Sequence, residues 1–205
     1  MRYTGPKFRL CRREGINLFG PDKYNPKNRR GMPGVHGANN TRLSEYGKLL
    51  RNKQVLKRIY QMSEKQFSRL VMETSKQFAK NKWLDHDKVL VQFLSRRMDA
   101  VLLSSGFAST IMQARQMVTH GHYLLNGKKH NIPSYYVKPG DVVVLRPRLQ
   151  SSSLYSIDNV VETPTWLHIN QPNFEIKVLD MPHDVVDDHK LPVDTLKVIE
   201  YYARA

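Results

Sequence analysis

The chain has 205 residues, a net charge of +15 and a sequence pI of about 10.0. This length suits one or two domains with a real core, and a single cysteine, Cys11, excludes an internal disulfide framework. No apolar run approaches the roughly 20 residues of a membrane-spanning helix. The first charges are not followed by an apolar segment, which argues against a secretory signal.

The positive charge is concentrated in the first three quarters of the chain. Residues 1–60 carry 15 Lys and Arg against 3 acids, residues 61–150 carry 14 against 6, and residues 151–205 carry 4 against 9. Because clustered Lys and Arg bind dense phosphates, nucleic acid is the predicted partner. An anionic membrane surface is the competitor, but it would favour a long basic amphipathic helix, which the sequence does not show clearly.

The first half of the chain predicts a basic arm followed by a helical domain. Residues 1–43 are rich in Gly, Pro, Lys and Arg without a regular period, which indicates an irregular arm or, alternatively, a disordered tail. Residues 44–94 contain three amphipathic segments, the second with a Ser63–Gln66 capping box. A C-terminal helix at 192–205, starting at Pro192, is predicted to join this domain.

Residues 95–191 predict a mixed unit of two helices and several strands. "RRMDAVLLSSGF" is helical and ends at Gly106, and "STIMQARQMVTHG" is helical between a Thr110–Gln113 capping box and Gly121. Asn126-Gly127 is typical of a type I′ hairpin turn. "PGDVVVLRP", "TWLHI" and "NFEIKVLDM" have the apolar or alternating patterns of strands.

Motifs for catalysis are missing from the sequence. His120, His122 and His130 fall within eleven residues, but no Cys or acid stands at a spacing that would complete a zinc site. The sequence has no phosphate-binding loop, nucleophile elbow or zinc-protease motif, and Cys11 has no evident base partner. We therefore predict that the chain is not an enzyme and that its basic, turn-rich stretches bind RNA through shape and backbone contacts.

Particular segments resemble a known family. "RMDAVLLSSGF" and "ARQMVTHGHYLLNGKKHNIPSYYVKPGD" resemble the small RNA-binding module named after ribosomal protein S4, which also occurs in some pseudouridine synthases and tyrosyl-tRNA synthetases. "RYTGPK", "CRREG", "PGVHG", "RLSEYG", "LRNKQ", "KRIY", "EKQF", "PTWL" and "VIEYYAR" resemble the bacterial-type S4 family itself, over residues 2–204. The resemblance implies an α+β fold. An all-helical domain is interrupted by a module of helices on a small antiparallel sheet, and an irregular basic N-terminal arm precedes both.

The resemblance also implies a function. Family members are structural constituents of the small ribosomal subunit that bind its rRNA at a multi-helix junction and nucleate assembly of the subunit body. They line the path of mRNA where it enters the subunit and influence decoding accuracy through a neighbouring ribosomal protein. The expected location is the cytoplasmic ribosome of bacteria or an organelle-encoded equivalent, with no membrane and no small-molecule substrate as partner.

Two rival functions remain open at this stage. An RNA-modifying enzyme would need a catalytic domain beyond the module, and the 58 residues after Pro147 are too few for one. A free-standing RNA-binding stress or rescue factor would not need the first 90 residues.

The resemblance and the charge pattern together give a set of predicted RNA contacts. In the module, phosphate and ribose contacts are expected chiefly from Arg97, Arg115 and Lys128. The full module set is Arg96, Arg97, Thr110, Arg115, Gln116, His120, Asn126, Lys128 and Lys129. The arm and helical domain add Arg12, Arg13, Arg29, Arg30, Arg42, Arg51, Lys53 and Arg58.

Two further expectations concern the ends of the chain. Many family members carry four zinc-binding cysteines in the arm, and the aligned positions here are Phe8, Cys11, Lys23 and Asn28, so no cofactor is expected. The acidic tail is expected to meet protein rather than RNA. Its apolar residues Leu196, Ile199 and Tyr202 are predicted to pack on the helical domain.

Overall fold

The computed structural model describes residues 3–28, 31–37, 42–80, 85–152, 155, 164–182 and 193–204. The chain forms two compact units, one of Met1–Leu90 with Lys190–Ala205 and one of Val91–His189. Over the described ranges, every helix is too short or too polar to cross a membrane.

The described residues form seven helices and five strands. The helices are α1 (Lys7–Glu14), α2 (Glu45–Ile59), α3 (Glu64–Lys80), α4 (His86–Ser95), α5 (Met98–Ser104), α6 (Ile111–Thr119) and α7 (Thr195–Arg204). The strands are β1 (Tyr123–Leu125), β2 (Lys128–Lys129), β3 (Val142–Leu145), β4 (Leu167–Asn170) and β5 (Glu175–Val178).

Helix α1 is the element that the sequence analysis missed. It ends at Gly15, which adopts a left-handed conformation with φ of 71° that suits glycine. Its buried residue, Cys11, packs with Leu18 and Phe19 of the following loop and with Val55 of α2. The arm therefore has a small apolar core, shared with α2, which its mostly polar sequence did not indicate.

The helical segments begin and end near the predicted places. The Ser63–Gln66 capping box is confirmed: the Ser63 hydroxyl accepts from the Gln66 N–H at 3.3 Å, and the Gln66 side chain accepts from the Ser63 N–H at 3.3 Å. Together these bonds satisfy two backbone donors at the start of α3 that lack helical partners. The apolar stripe of α3 is buried at Phe67, Leu70 and Val71.

Helix α7 buries the predicted face only in part. Val198 is fully buried and Thr195 is nearly so, whereas Leu196 is 59% exposed. Because each helical residue turns the face by about 100°, Leu196 points away from the stripe that begins at Thr195. The prediction for Leu196 is thus wrong, while Tyr202 does pack, with its ring 6.1 Å from that of Phe67.

The predicted start of α7 is also three residues too early. The first helical residue is Thr195, and the Asp194 side chain accepts a hydrogen bond from the Lys197 N–H at 3.3 Å. An aspartate in this position satisfies a free donor of the first turn and so begins the helix. The proposed first residue, Pro192, lies outside the described residues.

The second unit is built on one antiparallel sheet with strand order β2-β1-β3-β5-β4. Strand β3 is central and pairs Val143 with Leu125 of β1 and with Ile176 of β5. Within β5 the predicted alternation is confirmed, since Ile176 and Val178 are buried, whereas Phe174 is also buried but precedes the strand, with a φ of 49°. The buried residues of α5 and α6 join the apolar cluster of the sheet, and the class is α+β as expected.

Helix α6 has the predicted cap, with one difference. The Thr110 hydroxyl accepts from the Gln113 N–H at 3.2 Å, but the Gln113 side chain accepts from the N–H of Ser109, at 2.9 Å, and not from that of Thr110. At the other end, Gly121 (φ 66°) donates to the Val118 carbonyl and His122 donates to that of Met117. This pair of bonds is a Schellman motif, so Gly121 is the helix stop that the sequence predicts.

The turn between β1 and β2 is confirmed. Asn126 and Gly127 both have positive φ, of 50° and 77°, as a type I′ turn requires. The turn reverses the chain so that Leu125 pairs with Lys128 and Leu124 pairs with Lys129. As a result, two consecutive lysines lie on the outermost strand of the sheet.

Candidate RNA interface

A buried carboxylate binds two of the predicted contact residues of the module. Asp99 is fully buried, and the Arg97 guanidinium donates to its two oxygens, from Nε at 3.0 Å and Nη2 at 2.9 Å. Arg115 donates to Asp99 Oδ2 from Nη2 at 2.6 Å and from Nε at 3.1 Å. One negative charge therefore holds two guanidinium groups together, beside the start of α5 and along α6.

The two arginines differ in what remains accessible. The Arg97 side chain is 7% exposed, and its fork is occupied by Asp99. To meet a phosphate it would have to break a buried, bidentate pair. This geometry argues against Arg97 as a direct contact and gives it a positioning role, whereas the Arg115 side chain is 30% exposed and stays a predicted contact.

The hairpin tip presents the most accessible lysines of the predicted module set. Lys128 and Lys129 are both exposed, and no ion pair within the described residues engages either ammonium group. The stem of Lys129 crosses Gly121 so closely that a Cβ there would lie 2.6 Å from Lys129 Cε. Asn126 is different from the lysines, because both ends of its side chain already bond to the protein.

The remaining predicted residues of the module vary in availability. Gln116 and His120 are exposed on and just after α6, while the Thr110 hydroxyl is engaged as the helix cap. Arg96 donates from Nε to the Val137 carbonyl at 3.0 Å, and burial lowers the pKa of its guanidinium. Of these four, Gln116 and His120 have side chains free of such structural roles.

The histidine cluster has none of the character of a metal site. Among the described residues, no group of three or more His, Cys, Asp and Glu side chains could hold an ion. His122 hydrogen bonds through Nδ1 to the hydroxyl of Tyr155. Burial, and to a lesser extent the neighbouring basic groups His120, Arg146 and Arg148, lowers the pKa of His122.

In the first unit, three predicted contact residues are held by two glutamates. Arg51 and Arg58 both donate to Glu14, whose side chain is only 2% exposed. Lys53 is also buried, and its ammonium group donates to Glu64 at 2.8 Å. These three cations join α2 to α1 and α3, and this structural use limits what they can offer to a phosphate.

The arm residues divide between the described and undescribed parts of the chain. Arg12 donates to the carbonyl oxygens of Gly31 and Met32, at 3.0 and 3.2 Å. Arg13 and Arg42 are exposed. Arg29 and Arg30 lie outside the described residues.

The structure also reveals residues that the sequence analysis did not single out, namely the acids that hold these cations and the hairpin turn. Glu14, Glu64, Asp99 and Asp141 each bond to two or more groups. A signal for three of them is present in the sequence, since "CRREG", "RRMDA" and "KPGD" each place one acid beside basic residues. A lone acid in a basic segment is a candidate for such a role.

The four arm positions that the resemblance aligns with zinc ligands carry side chains that do not suit the ion. Phe8 has no donor, and Lys23 carries a positive charge 5.2 Å from the Tyr24 ring. Asn28 donates its side-chain amide to the Asp22 carbonyl. Cys11 is buried among apolar residues, and burial raises the pKa of its thiol. A closed tetrahedral zinc site needs four suitable donors, and this set supplies one.

The fold and these residues define a class: an α+β protein whose module of helices on an antiparallel sheet exposes two lysines at a hairpin tip. Residues 2–95 match the family model described as "Ribosomal protein S4/S9 N-terminal domain", and residues 96–143 match the S4 domain. The described part of this second match includes α5, α6, the hairpin and the start of β3.

Relatives extend the match to the whole chain. The chain is 43% identical over 213 residues to the small ribosomal subunit protein uS4 of a Thermoanaerobacter species, and 43% over 217 residues to that of Thermotoga petrophila. It is 40% identical over 206 residues to that of Rubrobacter xylanophilus, and each alignment covers 99% of both chains. The chain belongs to the ribosomal protein S4 family. It is a structural, non-enzymatic constituent of the small ribosomal subunit that binds ribosomal RNA.

Proposed function

We propose that the chain grips a multi-helix junction of small-subunit rRNA with its exposed cations, chiefly Lys128, Lys129, Arg115 and Arg13. The observation that carries this assignment is the exposed lysine pair on the outermost strand, without an ion pair in the described residues. A net charge of +20 over residues 1–150 supports it, because phosphate contacts release counterions and so favour binding.

The finer roles follow from the same proposal. Early binding to the junction nucleates assembly of the subunit body, and part of the basic surface lines the path of mRNA where it enters. The acidic last quarter contacts a neighbouring ribosomal protein and through it influences decoding accuracy. The charge reversal after residue 150 supports a protein partner for this end, since acidic side chains repel phosphate. The bacterial relatives support the cytoplasmic ribosome as the place of action.

The arm works without zinc in this proposal. Ordering comes instead from the apolar cluster around Cys11 and from the bonds of Glu14 to Arg51 and Arg58. Elemental analysis of protein purified without added metal is expected to find no stoichiometric zinc, and one zinc per chain would contradict this part of the proposal.

The test of RNA binding is its salt dependence. Each phosphate contact adds about −0.9 to the slope of log affinity against log salt on duplex-like nucleic acid. Lys128→Ala and Lys129→Ala are each expected to reduce the magnitude of the slope measured on small-subunit rRNA by roughly one. The matched control is Lys177→Ala, an exposed lysine of the acidic quarter that pairs with Glu175. Equal slopes for all three variants and the parent protein would contradict the assignment.

A substitution at Arg97 tests whether this buried arginine contacts RNA directly or positions other groups. Because its side chain is engaged by Asp99, Arg97→Ala is expected to lower stability and to leave the salt slope nearly unchanged at temperatures well below unfolding. A loss of about one in slope with unchanged stability would restore Arg97 to the direct contacts.

A further inference from the structure

One acidic residue, Asp141, lies beneath the basic hairpin tip. It is 9% exposed, and its carboxylate accepts from the Asn126 side-chain amide at 2.9 Å through Oδ1. Through Oδ2 it accepts from the Lys138 N–H at 2.9 Å and from the Tyr135 hydroxyl at 3.5 Å. Both oxygens of the carboxylate are therefore occupied by bonds within the module.

Asn126 completes a closed set of bonds. Its side-chain oxygen accepts from the Val142 N–H at 2.9 Å, and its own N–H donates to the Val142 carbonyl at 2.8 Å. The first residue of the turn is thus tied by backbone and side chain to the start of β3 and to Asp141. Its left-handed backbone, with φ of 50°, leaves it in a conformation that needs such support.

The strand that carries the lysines has little other support. β2 consists of Lys128 and Lys129 alone and pairs only with β1 in the described sheet. A two-residue outer strand would be free to fray, so the direction of its side chains depends on how firmly the turn is held. The bonds of Asn126 and Asp141 hold that turn one residue before Gly127 and two before Lys128.

Simple electrostatics would not place a carboxylate here. A negative charge beneath a phosphate-binding tip repels the phosphate. A carboxylate at this place is therefore expected to have a compensating structural role. Asp141 and Asn126 together bond to the Tyr135 hydroxyl, the Lys138 N–H, and the N–H and carbonyl of Val142. These bonds hold the backbone of the turn in the bound geometry, which lowers the ordering cost of association.

We propose that Asp141 and Asn126 form a clamp that aims Lys128 and Lys129 at RNA phosphate, and that both are positioning residues for RNA binding. This inference rests on the proposed function of the hairpin tip. Neither residue need touch RNA, and the polar contact predicted from the sequence for Asn126 is replaced by this inward role.

The test exchanges the two side chains. In Asp141→Asn, the new amide directs its NH₂ group either at the Asn126 amide or at the Lys138 N–H, and one bond is lost. In Asn126→Asp, two carboxylates face each other. In the double variant Asn126→Asp/Asp141→Asn, residue 126 accepts from the Val142 N–H and from the new amide, whose oxygen accepts from Lys138. The exchange thus keeps a partner for every bond of the clamp, including that of Tyr135, because the Tyr135 hydroxyl and the Lys138 N–H donate to the same oxygen.

The expected result is a loss and a rescue in RNA binding. Each single variant should reduce the salt slope on small-subunit rRNA by up to two, because both lysines lose their aim. The double variant should recover most of that slope. Asp85→Asn is the control for the change in net charge, since this aspartate is exposed and pairs only with Lys88 in the described ion pairs, and it should leave the slope unchanged.

A second comparison separates aiming from general stability. In a Lys128→Ala/Lys129→Ala background, Asp141→Asn should cause no further loss, because there is nothing left to aim. An equal further loss would overturn the clamp in favour of a global structural role. Unchanged slope in Asp141→Asn, beside a clear effect of the lysine variants, would also overturn it. If the lysine variants themselves have no effect, the proposed function of the tip fails instead.

Discussion

The two units of the chain use acids in different ways. In the first unit, Glu14 joins α1 to α2 through Arg51 and Arg58, and Glu64 joins α3 to α2 through Lys53. In the second unit, the apolar sheet supplies the core, and Asp99 and Asp141 fix local segments around it.

This difference bears on which cations can meet RNA. The first unit uses three of its predicted contact residues to hold its helices together. In the second unit Asp99 holds Arg97 and Arg115, whereas no ion pair in the described residues engages Lys128 or Lys129, and these lysines are exposed at the hairpin tip. A positive charge in the sequence is therefore a poor guide to a contact unless the neighbouring acids are placed first.

The largest expected effect comes from removing the acid that holds two arginines. Asp99→Ala leaves Arg97 buried without its partner, and breaking a buried pair in this way costs roughly 3–5 kcal/mol. Urea unfolding of the full chain measures the loss. Glu73→Ala, at an exposed position within α3, is the control and should change stability by no more than about 0.5 kcal/mol.

A smaller effect is expected at the arm. Glu14→Gln keeps the shape of the side chain but removes its charge. It therefore weakens, without abolishing, two hydrogen bonds that are worth roughly 1.5–3 kcal/mol each when the acceptor is charged. The loss should appear as faster hydrogen exchange in α1. Glu45→Gln, whose side chain is 79% exposed, should leave that exchange unchanged, and equal exchange in the two variants would argue against the role of Glu14.

Helix α7 offers a matched pair of truncations. Val198→Ala removes two buried methyl groups and should destabilise the first unit by about 2 kcal/mol, from transfer and cavity terms together. Leu196→Ala removes more atoms but from an exposed side chain, so it should cost less than about 0.5 kcal/mol. The reverse order would support the face that the sequence predicted.

The smallest effect is a pH dependence at Glu64 of α3, which accepts a hydrogen bond from Tyr202 of α7. Burial raises the pKa of Glu64, but hydrogen bonds from Lys53, Lys57 and Tyr202 outweigh burial and lower it to about 2. Because the folded pKa lies below the usual 4.5, the contribution of Glu64 is present above about pH 4.5 and is lost as the pH falls towards 2. The melting temperature of Glu64→Gln should vary less with pH across this range than that of the parent protein. The same dependence of melting temperature on pH in both proteins would count against the pairing.

Sequence patterns predicted the regular elements well, because local rules decide them. The Ser63–Gln66 box, the Gly121 stop and the Asn126-Gly127 turn all depend on residues within a few positions of one another. The C-terminal helix was predicted too, but the burial of Val198 in place of Leu196 was not. Which side of α7 is buried depends on the side chains of α2 and α3 that pack against it.

The candidate site was harder to predict for a physical reason. Asp99 contacts Arg115 across 16 positions and Glu14 contacts Arg58 across 44, and no short pattern reports such pairs. Composition indicated a basic region, but it could not separate a buried guanidinium such as that of Arg97 from an exposed ammonium such as that of Lys128.

The rate at which the single thiol of the chain is labelled can measure how often the arm opens. Cys11 is fully buried between α1 and α2, and burial raises its pKa, so a thiol reagent in neutral buffer meets almost no accessible thiolate in the closed arm. Each modification event requires the arm to open first. With no second cysteine to contribute background, the labelling rate counts openings of this segment alone, in the free protein or during assembly with RNA.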